Sequence, residues 1–224
     1  LASRDPSLVF LGGIIGVPWQ AIAADTDANG GPLPANTLRF KTATELERDD
    51  VWSEIVGSGS EPPQNPLMVE SIVPRRGVMP GNAVNGREYA TDGDTPGTPE
   101  DLEYACIFPL PEQRDCSTRT PGVDECDCYE GDHDRPLCEA EPAVSSSGTM
   151  QYWAKAYPGL RQLEVLRDYG DNSIVASICA RNVDVSTAAA RADFGYRPAI
   201  DAIVERLKEQ LGDRCLPRGL LTGP

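Results

Sequence analysis

The run Leu8-Val9-Phe10-Leu11-Gly12-Gly13-Ile14-Ile15 is apolar or glycine at every position and is closed by Gly16 and Pro18. Eight residues without polar alternation predict a strand covered on both faces, as in the middle of a parallel sheet. Ser173-Ile174-Val175-Ala176-Ser177-Ile178-Cys179 reads as a second buried strand. A strand of the first kind needs neighbours on both edges, and few later segments offer them. The expectation is that further strands come from sequence outside this chain.

Between and after these strands, the pattern predicts a short helix over 44–56 with Trp52 and Ile55 inward. It predicts a short strand from Met68 to Val73 and another from Leu102 to Leu110. A helix is expected over 149–157. Pro158 opens the next helix, with Leu160, Leu163 and Leu166 inward and Gly170 as its stop. Over 198–211 the residues Ile200, Ile203, Val204, Leu207 and Leu211 share one helical face, and Gly212 follows. The 21 glycines and 20 prolines make much of the remainder loop, notably 25–36, 57–66 and 80–100. The fold class expected is α/β, with a large loop-rich stretch stapled by disulfides.

Three segments together resemble the C-terminal half of secreted bacterial von Willebrand factor A-like proteins. They are Leu8 to Pro18 with its Gly-x-Pro turn, the strand ending Ala176-Ser177-Ile178-Cys179, and Gly195-Tyr196-Arg197-Pro198-Ala199-Ile200-Asp201-Ala202-Ile203 leading to Cys215-Leu216-Pro217. The resemblance implies a core from 1–24 and 150–218, a cysteine-rich acidic insertion over 25–149, and a tail over 219–224. It also implies a partial doubly wound, Rossmann-like sheet as the fold, and protein binding through a bound divalent cation as the family's usual activity. The family's cation motif, Asp-x-Ser-x-Ser, does not occur in this sequence, so metal-dependent adhesion is not implied for this chain alone.

The net charge is −15, with 35 acids against 20 bases. That excludes partners recognised through phosphate, nucleic acid above all. No run reaches the roughly 20 apolar residues of a membrane span. Seven cysteines in 224 residues, five of them between Cys106 and Cys138, indicate an oxidising compartment. The expected location is therefore secreted, periplasmic or cell surface. No signal peptide is visible at the first residues.

Cys179 ends a strand and Cys215 follows the last helix, so these two are expected to pair and clip helix to sheet. Cys106, Cys116, Cys126, Cys128 and Cys138 are left with open connectivity and carry the odd thiol. A zinc set is the competing reading of Cys126, Cys128, His133 and Cys138, since three thiolates and an imidazole satisfy tetrahedral zinc.

Asp25-Thr26-Asp27-Ala28-Asn29-Gly30 matches the first half of a calcium loop, with Asp25, Asp27 and Asn29 as oxygen donors. The twelfth position, Asn36, offers an amide rather than the bidentate glutamate, so this is no EF-hand. Asp92 and Asp94, or the acids from Asp124 to Asp134, could complete such a site; otherwise the loop is an Asx-rich turn. Calcium is the one cofactor the sequence suggests.

No catalytic set stands out: the single histidine, His133, sits in an acidic loop, and no Gly-x-Ser-x-Gly elbow occurs. The expected function is an exported, non-enzymatic structural or protein-binding module. Its partner is another protein or its own missing N-terminal half. A calcium-binding protein is the alternative, and a hydrolase with a site shared with a missing chain is the third reading.

Overall fold

A computed structural model describes residues 9–79, 82–85, 102–118, 126–128, 135–140 and 148–212. The strands are β1 (Leu11–Ile15), β2 (Cys106–Asp115), β3 (Met150–Ala156) and β4 (Ser173–Ser177). The helices are α1 (Trp19–Ile22), α2 (Ala43–Arg48), α3 (Val51–Ile55), α4 (Leu160–Tyr169) and α5 (Arg197–Gly212).

The two segments read as buried strands pair with each other in parallel, Leu11 opposite Ser173 and Ile15 opposite Ser177. Successive side chains on a strand point to opposite faces. On one face, a methyl placed on Gly13 would lie 2.8 Å from Leu166 Cδ1 of α4. On the other, the Arg206 guanidinium of α5 stacks 5.8 Å from the Phe10 ring. Helices therefore flank the pair on both faces, and the α/β class is observed.

Residues 38–68 join this core rather than the cysteine-rich region. Leu38, Phe40, Leu46, Trp52, Ile55 and Met68 are buried together with Ile15, Val17, Leu163 and Val175. The segment 25–149 is thus not one structural unit. The helix expected over 44–56 forms as α2 and α3, because Asp50 takes a left-handed φ of 54° between them. Trp52 and Ile55 are buried as the periodicity requires. α2 begins with a capping box: Thr42 accepts from the Glu45 backbone N–H, and Glu45 accepts from that of Thr42. The strand expected from Met68 to Val73 is absent. Pro66–Met68 is a 3₁₀ turn, opened by the Asn65 side chain accepting from the Leu67 N–H.

A second, smaller core surrounds the antiparallel pair β2–β3. Tyr104, Leu137 and four half-cystines are buried there. Residues 149–157, read as a helix, form β3 instead. Trp153 pairs opposite Pro109, and its indole N–H donates to the Glu139 carbonyl at 2.7 Å. Cross-strand packing has overridden local helical spacing. The buried Arg75 guanidinium binds this lobe to the preceding loop, donating to Tyr104 O at 2.5 Å, Val69 O at 2.8 Å, and Glu103 O. Burial lowers its pKa to about 10, so it stays charged at neutral pH.

Three disulfides join Cys106 to Cys179, Cys116 to Cys126, and Cys128 to Cys138. The expected Cys179–Cys215 pair is therefore corrected. After β4 the chain returns through α5 in the opposite direction, and Arg206 donates to the Asp171 carbonyl, just before β4, at 2.6 Å. The end of α5 thus lies beside the start of β4, whereas Cys179 follows β4's other end. There it meets Cys106, the first residue of β2, so the bridge links the two cores. The odd cysteine is also corrected: it is Cys215, which lies outside the described residues.

Candidate functional site

Each chemically suggestive cluster has a defined fate. Cys126, Cys128 and Cys138 are all consumed by disulfides and offer no thiolate, so the zinc reading fails; His133 lies outside the described residues. Asp27 Oδ1 accepts from the N–H groups of Asn29 and Gly31, each at 2.8 Å. That closes an Asx turn, in which the carboxylate serves its own backbone. Asp25 and Asn29 are exposed beside it. Among the described residues no group of three His, Cys, Asp or Glu is placed to hold a metal ion. Asp92, Asp94, Asp124 and Asp134 lie outside the described residues.

Hydroxyl–carboxylate contacts exist, but they are exposed, and apart from Thr44 donating to Asp171 at 3.1 Å they join near neighbours in sequence. Ser53 donates to Asp50 and Ser186 to Asp184, two or three residues apart, as turn-forming side chains do.

Two polar features that the sequence did not single out hold the frame. Asp193 is fully buried between Arg191, at 2.7 Å, and Arg181, at 3.3 Å. Its backbone N–H donates to Asn36 O at 2.9 Å, and Arg181 stacks 5.2 Å from the Trp19 ring. This fixes the loop between β4 and α5. In the second lobe, Lys155 stacks 5.5 Å from Tyr104 and 5.3 Å from Tyr157, and pairs with Asp127 at 3.1 Å. Neither set had a signal in spacing, because its members are brought together only by the fold.

What remains available is an apolar surface on the α/β core. A cleft of about 520 Å³ opens beyond the carboxyl end of β4, lined by Phe108, Pro111, Val183, Phe194, Tyr196 and Ile200. In open α/β sheets ligands bind at that end of the strands. Ile200 also begins a stripe along α5 with Val204 and Leu207, and these are 53%, 39% and 40% exposed. Ile14 on β1 is 43% exposed, and Gly12 has open space where a Cβ would stand. The surface offers apolar contact area, with Arg197 and Asp201 also at the cleft. No family model, curated protein or solved structure matches the chain. No helix among the described residues is long and apolar enough to cross a membrane. Three disulfides are the chemistry of an oxidising environment.

Proposed function

We propose that this chain is an exported, non-enzymatic structural or protein-binding module. Its α/β core is of von Willebrand factor A type and works within a larger protein or surface assembly. The observation that carries the reading is a parallel pair of strands with an uncompleted edge. Purely parallel sheets persist where both faces are covered and where several strands share the layer. Here helices flank both faces, yet β1 pairs with β4 alone among the described residues. A partner protein, or an N-terminal half outside this sequence, would complete the layer. The disulfide-linked second lobe supports export and braces the module at the end of β4.

The test is affinity capture of the tagged chain from the extracellular fraction of the cells that make it, followed by sizing. A discrete complex of defined stoichiometry, without turnover of ester, glycoside or peptide substrates, is the expected result. A chain that elutes alone at 24.1 kDa and hydrolyses one of those substrates would overturn the reading.

A further inference from the structure

The cleft beyond β4 takes its walls from both cores. Phe108 and Pro111 belong to β2, while Val183, Phe194 and Tyr196 belong to the segment between β4 and α5. The Cys106–Cys179 bridge ties the two walls at their bases. Cys106 lies two residues before Phe108, and Cys179 immediately precedes Ala180, which also lines the cleft. A covalent link thus fixes the spacing of the walls. A volume of about 520 Å³ with a mainly aromatic and aliphatic lining matches a small-molecule site.

Two charges interrupt the apolar wall, and neither is neutralised. Arg197 and Asp201 stand one turn apart on α5, a spacing at which opposite charges can bridge. They form no ion pair with each other or with another of the described residues. Instead Arg197 Nη1 donates to Ala188 O and, at 2.8 Å, to Arg191 O, and its guanidinium stacks 5.4 Å from the Phe194 ring. Neutral partners therefore hold the guanidinium in place and leave its charge uncancelled. Both side chains are exposed, so a ligand can reach them.

A ligand matched to this lining carries both signs close together on an apolar body. A carboxylate suits the remaining N–H groups of a fixed guanidinium. An ammonium suits the Asp201 carboxylate, and aromatic walls favour an apolar or aromatic body. A purely anionic ligand would face Asp201 unmatched, and a purely cationic one would face Arg197. We infer that the cleft binds a free amino acid with a large apolar side chain. Its carboxylate lies on Arg197, its ammonium on Asp201, and its side chain among Phe108, Phe194 and Tyr196.

The test uses the full chain with its disulfides intact, titrated calorimetrically with three probes. These are phenylalanine, hydrocinnamate, which lacks the ammonium, and phenethylamine, which lacks the carboxylate. Phenylalanine is expected to bind about tenfold more tightly than either, because each analogue loses one charge-assisted pair. Asp201→Asn should weaken phenylalanine about tenfold and leave hydrocinnamate no weaker. Misfolding would weaken both, so that split reports the ammonium contact itself. Equal affinity for the three probes would overturn the inference, as would unchanged phenylalanine binding in Asp201→Asn or no binding of phenylalanine at all. None of these outcomes touches protein binding, which the capture experiment judges separately.

Discussion

Removing the Cys106–Cys179 bridge should do more than removing either short-loop disulfide, and should do it in a particular way. The bridge closes a separation of 73 residues, whereas Cys128–Cys138 closes one of 10. On the chain-entropy model these loops correspond to about 4.4 and about 2.7 kcal/mol. The two short disulfides lie inside the long loop and shorten it effectively, which lowers the first figure to about 4 kcal/mol. Cys106→Ala with Cys179→Ala is therefore expected to destabilise more than Cys128→Ala with Cys138→Ala, by roughly 1–1.5 kcal/mol. The bridge also links the core of β1–β4 to that of β2–β3. With it intact, urea titration followed by hydrogen exchange should show β4 and β3 opening together; without it, their midpoints should separate. A peptide map linking Cys179 to Cys215 would refute the reasoning. So would coincident opening in the alanine pair together with a loss no greater than that of the short-loop pair.

Other perturbations test the frame around the site. Arg75→Leu strips the donor shared by Tyr104 O, Glu103 O and Val69 O; about 2–4 kcal/mol of stability should be lost in urea denaturation. Gly16→Ala would place a methyl 1.8 Å from Tyr157 O, a backbone atom that cannot rotate away. A loss of about 2–4 kcal/mol, or failure to fold, is expected on thermal melting. Glu45 titrates at about 2 rather than 4.5, chiefly because Arg39 donates to its carboxylate. Its contribution is present above pH 4.5 and fades as pH falls toward 2. Screening at this partly exposed pair leaves about 1 kcal/mol. Glu45→Gln should therefore be less stable than wild type by that amount near neutral pH and equal to it at the acid end. A gap independent of pH would sink the assignment.

The elements that were legible in the sequence are those whose signal is local. α4 forms with Leu163 and Leu166 buried and Gly170 at its end, as period and stop residue require. β1 and β4 follow from unbroken apolar runs. Residues 149–157 were misread because their strand character depends on β2, whose pairing partner lies about forty residues away and carries no local mark. The cysteine count pointed to the compartment, but connectivity depends on the return direction of α5. That direction follows from the parallel topology and was not visible in spacing. Asp25, Asp27 and Asn29 look alike in a calcium loop and in an Asx turn, since both use carboxylates to organise a tight bend. Only the bonds from Asn29 and Gly31 to Asp27 separate the two.

One pattern of disagreement bears on the function. The same apolar periodicity that correctly buries Leu163 and Leu166 of α4 also predicts burial of Ile200, Val204 and Leu207 of α5 and of both faces of β1. Ile14, Ile200, Val204 and Leu207 are all more than a third exposed, as are Val165 and Tyr169 on the outer side of α4. Local signals and the final environment agree in a completed fold. On the protein-binding reading proposed above, the open residues of β1 and α5 are where a partner would supply cover.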